Sequence, residues 1–289
     1  MEIKIAKVCG LCVGCERAIM AVKEELSFGN SVTIFKEIVH NQTVNSMLKN
    51  AGAKFEEDIN NLNKEDIVII RAHGEPPKTY EYLRKNKIKF RDCTCFNVEK
   101  IHKDVENFSN LGYTIVIVGK HNHPEVYGTV GWAKDNAIVI EEEVDLFKLN
   151  DIKNKIYLVC QTTFNENRAE KLIKEITKLA ETKNLELVIN KSLCSVNKLI
   201  YESSKELAKD CDLLFVVGGK NSSNTNELCF KLREICPTIF IENIKEYKDE
   251  LTKNGIILTC STRIGLTASA STMKEELEEL KQLIINDYK

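Results

Sequence analysis

The sequence has no long apolar run, because its longest apolar stretches, such as LLFVV, are far too short to span a bilayer. Its first ten residues, MEIKIAKVCG, lack the apolar segment of a signal peptide. It also lacks an excess of either charge: 41 lysines and arginines oppose 43 aspartates and glutamates, and the net charge of −2 gives no bulk attraction for nucleic acid. We therefore expect a soluble, cytoplasmic protein that binds neither nucleic acid nor a membrane.

Linkers are also missing: no Gly/Ser-rich stretch, block of like charge or low-complexity tract divides the 289 residues. That length suits two or three packed units, so the organisation of the chain must come from repeated patterns. Three segments share one layout, a buried strand that ends in a loop rich in His, Gly, Ser or Asn: IVIIRAHGEPP at 67–77, TIVIVGKHNHPEV at 114–126 and LLFVVGGKNSSNTN at 213–226.

Cysteine, in contrast, is abundant, with eleven residues. A high and odd number in a reducing compartment favours metal ligation, thiol chemistry or burial over disulfides. Three cysteines directly precede helical patterns, namely Cys12, Cys95 and Cys194. The same number of residues separates Cys95 from Gly119 and Cys194 from Gly218. Each repeat therefore predicts a cysteine loop, an amphipathic helix, a buried strand and a polar loop, which is the alternation of a parallel-sheet α/β domain.

We predict an α/β fold of three similar units in a pseudo-threefold, trefoil-like arrangement, with three cysteines and three polar loops that converge on one centre. The predicted units are residues 1–94, 95–193 and 194–289. The first strand, EIKIAKV, could pair with a unit other than its own.

The segment KVCGLCVGCERAI at 7–19 has the C-x2-C-x2-C spacing that opens a bacterial ferredoxin ligand run. The next ligand position is Ile19, however, and no proline follows, which argues against that interpretation. Cys15 falls on the apolar face of the following helical pattern, as a core residue would. Cys12 precedes the helix, where backbone N–H groups and the positive end of the dipole favour a thiolate. Cys12 is therefore the expected ligand.

Cys95 and Cys194 have the same relation to the helices after them. The apolar positions of those predicted helices are Val98, Ile101 and Val105, and then Val196, Leu199, Ile200 and Leu207. A core cysteine is the alternative for each taken singly, but three equivalent placements favour a set of ligands. Zinc would need a fourth ligand from a second short Cys or His pair, and none is evident. Three thiolates suit a [4Fe–4S] cluster that leaves one iron open.

Eight motifs carry a resemblance that runs from about residue 9 to residue 272: GLCVGCERAI, EIVHN, AHGEPP, DCTCFNVEKIH, HPEVYGTVG, QTT, KNSSNTN and GLTASAST. In their order and spacing the chain resembles the 4-hydroxy-3-methylbut-2-enyl diphosphate reductase family, iron–sulfur oxidoreductases at the end of the methylerythritol phosphate route to isoprenoids. The resemblance implies a three-lobed α/β fold around a [4Fe–4S] cluster held by Cys12, Cys95 and Cys194. It implies reductive dehydroxylation of the allylic diphosphate to isopentenyl and dimethylallyl diphosphates.

The resemblance also implies the roles of individual residues. Glu125 matches the proton donor of the family, and Thr162 a residue near that donor. The positions that match substrate contacts are His40, His73 and His123, and those that match the diphosphate-binding set are Ser222, Ser223, Asn224 and Ser271. Electrons would come from an external ferredoxin or flavodoxin, since no second cluster motif or nucleotide fingerprint is evident.

Taken without the resemblance, these residues allow plainer interpretations. Glu125 could be a helix-start glutamate, and the run from Asn221 to Asn224 could be only a cap and turn. The sequence also differs from the residues usual in the family, with Cys15 in place of an aliphatic residue and Ser269 in place of glycine. Two alternatives therefore stay open: an iron–sulfur electron carrier without a substrate, and a divergent reductase of another allylic diphosphate or alcohol.

Overall fold

The structure, a computed structural model, describes residues 1–39, 41–134, 136–153, 155–220 and 222–288. The strands of this part are β1 (Glu2–Ile5), β2 (Val32–Phe35), β3 (Lys54–Glu56), β4 (Ile67–Ile70), β5 (Phe90–Asp92), β6 (Thr114–Val118), β7 (Ala137–Ile140), β8 (Lys155–Cys160), β9 (Glu186–Asn190), β10 (Leu213–Val217), β11 (Thr238–Ile241) and β12 (Arg263–Ala268).

The helices that accompany these strands are α1 (Val13–Ser27), α2 (Gln42–Asn50), α3 (Pro77–Lys85), α4 (Phe96–Asn110), α5 (Pro124–Trp132), α6 (Glu166–Thr182), α7 (Val196–Lys209), α8 (Ser223–Arg233), α9 (Tyr247–Lys253) and α10 (Lys274–Asp287). Short 3₁₀ segments lie at Ile59–Asn61, Glu143–Leu149 and Ile244–Glu246. No helix among these is long and apolar enough to pass through a bilayer.

The strands form three four-stranded sheets in which every pairing is parallel. Their orders are β3-β2-β4-β5, β7-β6-β8-β9 and β11-β10-β12-β1. In the first two sheets, the first strand along the chain lies inside, the second at one edge, the third inside and the fourth at the other edge; β10, β11 and β12 repeat the first three places in the third sheet, and β1 takes the fourth. The predicted α/β class and the repetition of one unit three times are confirmed.

The fourth strand of the third sheet comes from the other end of the chain. Ile3 of β1 pairs in parallel with Ile264 of β12, so the first strand does pair outside its own predicted unit. The boundaries predicted near residues 94 and 193 stay a prediction.

By spatial contacts the chain divides into two compact units. Unit 1 comprises Met1–Lys23, Glu37–Ala53 and Ser195–Lys289, and unit 2 comprises Glu24–Lys36 and Lys54–Cys194. Unit 1 contains the β11-β10-β12-β1 sheet, and unit 2 contains the other two sheets.

The inner strands of the sheets are mostly apolar, as is typical of parallel strands with helices on both faces. In unit 1, Phe215 and Val217 of β10 pack with α9 and α10, while Leu214 and Val216 pack with α7 and α8. In unit 2, β6 divides in the same way between α6 on one face and α4 with α5 on the other. Such sheets leave their loops, rather than their faces, free to carry chemistry.

The predicted helix faces are confirmed for α4, where Val98, Ile101 and Val105 are buried. For α7 the prediction was wrong at Leu199, which is 53% exposed. The buried face of α7 instead follows Ile200, then Ser204 and Ala208 at helical spacing, and two of these are too small or polar to stand out in an apolar pattern.

Candidate active site

The three predicted cysteine ligands occupy equivalent places in the fold. Cys12 follows β1, Cys95 follows β5 and Cys194 follows β9, and these are the fourth strands of the three sheets. Each cysteine lies just before a helix: α1, α4 and α7 respectively. A thiolate there faces the positive end of the helix dipole, so the repeated placement suits metal ligands better than it suits packing residues.

The polar residues of the predicted site follow the two inner strands of each sheet. His123 and Glu125 follow β6 and Ser222 follows β10, each a first strand, whereas His73, Thr162 and Ser271 follow the third strands β4, β8 and β12. The carboxyl ends of neighbouring parallel strands meet at one edge, which is where ligands bind in open α/β sheets. Residue 40 follows β2 in the sequence, but His40 lies outside the described residues, as does Asn221.

In unit 2, Glu125 is buried, with 2% of its surface exposed, in the first turn of α5. Its carboxylate accepts two hydrogen bonds from one residue of the β8 loop: the Thr162 N–H donates to Oε1 at 2.5 Å, and Thr162 Oγ1 donates to Oε2 at 2.6 Å. Burial raises the pKa of Glu125 to about 7, and the bonds from Thr162 oppose that rise. A carboxyl group with this pKa can hold a proton at neutral pH and release it to a reacting atom.

His123 is the N-cap of α5, and its Nδ1 accepts the N–H of Glu125 at 3.2 Å. The proton of a neutral His123 is therefore on Nε2, which can donate to a ligand. The rings of His123 and His73 lie edge to face with their centroids 5.4 Å apart. The structure thus brings three predicted residues of unit 2 together, namely Glu125, His123 and His73.

Hydrogen bonds link the residues around Glu125 to the cysteines of unit 2. The carbonyl oxygen of Thr162 accepts the N–H of Cys194 at 2.7 Å. The side chain of Asn97, in the first turn of α4, donates to Cys194 Sγ at 3.8 Å, and Cys95 is the N-cap of that helix. Asn97 was not predicted, because a polar residue at a helix start gives no sign in sequence of a sulfur partner from elsewhere in the chain.

In unit 1, the loop of Cys12 lies along the loop that follows β12. The N–H of Gly10 donates to Ala268 O, and the N–H of Cys12 donates to Ala270 O, each at 3.2 Å. The N–H of Cys15 lies 3.5 Å from Cys12 Sγ. Hydrogen bonding from the Cys15 side chain, then from backbone N–H groups, lowers the pKa of Cys12 to about 6. Cys15 is half-buried and supports Cys12 rather than only packing in the core.

The predicted diphosphate-binding residues of unit 1 lie beside that loop. Ser222 is the N-cap of α8, and its Oγ accepts the N–H of Thr225 at 3.3 Å. Ser223 is the first residue of this helix, and Asn224 lies in its first turn. The side chain of Ser223 is not among those that the structure describes. Ser271 is half-buried in the β12 loop, 3.3 Å from Ser269 through their hydroxyl oxygens. These donors are neutral, as suits an anion site at a helix start.

Within the described ranges, no three His, Cys, Asp or Glu side chains lie close enough together to hold a metal ion. Two of the predicted ligands, Cys95 and Cys194, lie in unit 2, and Cys12 lies in unit 1. The fit to a cluster therefore rests on the surroundings of each cysteine. A helix start beside all three, hydrogen bonds to two of the sulfurs and the lowered pKa of Cys12 all favour the thiolate form that iron requires.

Comparison with known proteins gives one family throughout. The family described as LytB protein matches residues 3–285. The 4-hydroxy-3-methylbut-2-enyl diphosphate reductase of Clostridioides difficile (strain 630) is 36% identical over 288 residues, with 99% of this chain and 100% of that protein covered. The reductase of the same name from Caldanaerobacter subterraneus subsp. tengcongensis is 37% identical over 296 residues, with 98% of each covered.

Two solved structures with a similar fold are also reductases of this kind. One is described as (E)-4-hydroxy-3-methyl-but-2-enyl diphosphate reductase, the terminal enzyme of the non-mevalonate pathway; its TM-score is 0.77 at 34% identity, with 99% of this chain and 100% of that chain covered. The other is the E-1-hydroxy-2-methyl-but-2-enyl-4-diphosphate reductase from Plasmodium falciparum, with a TM-score of 0.83 at 29% identity; 99% of this chain and 88% of that chain are covered.

Proposed function

Because the chain belongs to the LytB protein family, we propose that it reduces 4-hydroxy-3-methylbut-2-enyl diphosphate to isopentenyl and dimethylallyl diphosphates. Two electrons and two protons are consumed: the allylic C–O bond breaks, the oxygen leaves as water, and one proton adds to carbon. The observation that carries the proposal is the buried Glu125, which is held by Thr162 and has a pKa raised to about 7.

Membership of this family implies an iron–sulfur cofactor, and we assign Cys12, Cys95 and Cys194 as the three ligands of a [4Fe–4S] cluster. When bound, the cluster supplies the electrons and an iron without a protein ligand that can take the substrate hydroxyl. The hydrogen bond from Asn97 to Cys194 Sγ and that from Cys15 to Cys12 Sγ would orient two of these sulfurs and stabilise their charge.

Glu125 is the proposed source of the proton that leaves with the hydroxyl oxygen. Thr162 orients its carboxyl group, and the carbonyl of the same Thr162 accepts the N–H of Cys194, so one residue positions both the acid and a cysteine loop. His123 and His73 are proposed substrate contacts, and His40 is assigned to the same role from its motif. The burial of Glu125 excludes bulk water from the proton.

The diphosphate is proposed to bind in unit 1, to Ser222, Ser223, Asn224 and Ser271. Because Ser222 Oγ accepts a backbone N–H, its own O–H proton stays available to donate to a phosphate oxygen. We further propose that electrons come from an external ferredoxin or flavodoxin and that the protein works in the cytoplasm.

An anaerobic assay tests this proposal. The protein with its cluster reconstituted is supplied with 4-hydroxy-3-methylbut-2-enyl diphosphate and a strong reductant, and the products are separated by chromatography. Formation of both C5 diphosphates is expected. An intact cluster without turnover would contradict the proposal, and a panel of other allylic diphosphates and alcohols would then separate a divergent reductase from an electron carrier, which turns over none of them.

A further inference from the structure

A chain of three hydroxyl groups in unit 1 ends at the proposed diphosphate site. Thr225 Oγ1 lies 2.6 Å from Ser269 Oγ, and Ser269 Oγ lies 3.3 Å from Ser271 Oγ. Thr225 is fully buried and Ser269 is 2% exposed, whereas Ser271 is half-buried at the open end. The chain therefore runs from the core of the unit to the surface where an anion would bind.

The backbone at the end of β10 packs closely against this chain of hydroxyl groups. A Cβ atom added to Gly218 would lie 2.7 Å from Thr225 Oγ1 and 3.2 Å from Ser269 Oγ, so the backbone at the end of β10 approaches both groups closely. Glycine at this position is required by that approach. Removal of the Ser269 hydroxyl would leave the buried Thr225 Oγ1 without its 2.6 Å partner, which costs free energy.

The direction of the hydrogen bonds follows from counting protons. Each hydroxyl has one proton to donate, and a phosphate oxygen at neutral pH only accepts. If Ser271 donates its proton to the phosphate, its oxygen is available to accept from Ser269. Ser269 then has no proton left for Thr225, so Thr225 must donate to Ser269. All three protons point the same way, and such aligned bonds strengthen one another.

We propose that Ser269 is a positioning residue for diphosphate binding, and that the ordered chain Thr225, Ser269, Ser271 turns the Ser271 hydroxyl proton toward the ligand. Thr225 has a second part in this arrangement, because its backbone N–H is the group that Ser222 Oγ accepts. One buried residue thereby orients two serines of the proposed site, Ser222 and Ser271. This inference rests on the proposed function, since it assumes that a diphosphate binds there.

The test measures affinity for isopentenyl diphosphate, and kcat and KM, in the reconstituted protein. Ser269→Ala should weaken binding about three- to tenfold and raise KM to a similar extent, with kcat unchanged, since the hydroxyl acts on the diphosphate and not on the reacting carbon. Thr225→Val should have a smaller effect in the same direction, and Thr225→Ser, which keeps the hydroxyl, should bind as the wild type does. Because the groups act in series, the double variant Thr225→Val/Ser269→Ala should bind no more weakly than Ser269→Ala alone.

Unit 1 offers a matched control in the buried hydroxyl pair Ser204 and Thr267, whose oxygens are also 2.6 Å apart. Ser204→Ala should lower the melting temperature about as much as Ser269→Ala does, without changing affinity. Unchanged affinity in Ser269→Ala, while Ser271→Ala loses binding, would overturn the chain and leave the proposed function standing. Equal loss of affinity in Ser204→Ala would also overturn it, since the effect would then be structural. A wild-type protein that neither binds isopentenyl diphosphate nor turns over the proposed substrate would overturn both.

Discussion

The loops after β6 in unit 2 and after β10 in unit 1 are built alike and hold different chemistry. Each starts a helix with a capping side chain, His123 in one and Ser222 in the other. In each, a residue of the first turn bonds across to the loop of the third strand: Glu125 to Thr162, and Thr225 to Ser269. The common frame shows that the scaffold sets where the groups meet, and the residue type sets what they do.

A glycine directly after β6 and another directly after β10, Gly119 and Gly218, make this frame possible. A Cβ atom on Gly119 would lie 2.8 Å from Val126 and 2.9 Å from Gln161, and Gly218 is crowded in the same way by Thr225. The helix start therefore packs directly on the strand end in both loops. The outcome differs because a buried carboxyl group in unit 2 keeps a proton near neutral pH, whereas neutral hydroxyls in unit 1 can surround an anion without a charge of their own.

The largest expected effect tests whether the three cysteine positions are equivalent across the two units. Cys12→Ser, Cys95→Ser and Cys194→Ser should each abolish detectable turnover. Loss of groups that merely orient metal ligands already costs about 10- to 100-fold, so loss of a ligand should cost more. Iron content and the visible absorption of the reconstituted protein provide the check.

Two neighbouring cysteines serve as controls for these variants. Cys93→Ala, which changes a buried thiol close to Cys95, should retain iron, and Cys15→Ala, which keeps the backbone N–H near Cys12 Sγ, should retain far more iron than Cys12→Ser. A protein that loses its iron on replacement of Cys15 and keeps it in Cys12→Ser would reverse the assignment within the first cysteine run.

Next in size is the replacement of Glu125, the proposed proton donor. Glu125→Gln should lower kcat about 100- to 10,000-fold while leaving the affinity for isopentenyl diphosphate within about threefold. Since the protonated form is the donor, the wild-type rate should fall as pH rises through about 7, as a pH–rate profile would show. Unit 1 provides the control Glu276→Gln: burial also raises the pKa of Glu276 to about 7, but the residue lies in the first turn of α10 and outside the proposed site. A similar loss of kcat in both variants would argue against the role of Glu125.

The raised pKa of Glu125 also predicts a pH dependence of stability. A raised native pKa means that the contribution to stability is complete below the unfolded value of 4.5 and is lost as pH rises to about 7. The loss is at most about 3 kcal/mol for this shift. The free energy of unfolding is measured with denaturant at pH 4.5 and pH 8. It should decrease with pH by a smaller amount in Glu125→Gln than in the wild type, because the glutamine cannot ionise. Identical pH dependence in the wild type and the variant would show that the carboxyl group is not held in its protonated form.

A smaller effect is expected from Thr162, the partner of Glu125. Thr162→Val removes the 2.6 Å bond that lowers the pKa of the carboxyl group, so that pKa should rise further and the alkaline fall of the rate should move to higher pH. We expect a loss in kcat of about tenfold from the poorer orientation of the acid. Thr162→Ser keeps the hydroxyl and should restore both the rate and the profile. A shift of the profile to lower pH in Thr162→Val would contradict this account.

The smallest effect concerns the capping serine of unit 1. Ser222→Ala should destabilise the protein by about 1 kcal/mol through the lost cap of α8, and should weaken binding of isopentenyl diphosphate by up to about tenfold. Asn165→Ala removes the comparable N-cap of α6 and should cost similar stability without a change in affinity. Calorimetric titration measures the affinity of both variants for isopentenyl diphosphate. Equal affinities would show that Ser222 acts only as a helix cap.

Much of the fold could be predicted because local patterns recur. The buried runs that became β4, β6 and β10, the helix face at Val98 and Ile101, and a cysteine ahead of each of three helices are all short-range features. The face of α7 was misjudged because Ser204 and Ala208 occupy buried positions that an apolar pattern does not mark. Partners such as Asn97 for Cys194 could not be predicted, since they lie far apart in sequence.

The sequence by itself determined the α/β class, the threefold repeat and the residue types available for chemistry, because strand and helix periodicity and the order of motifs are local properties. Only the tertiary structure decided that β1 completes the third sheet, since parallel pairing joins distant segments. It also decided the raised pKa of Glu125, which comes from burial, and the alignment of Thr225, Ser269 and Ser271, which depends on two loops that meet only once the sheet has formed.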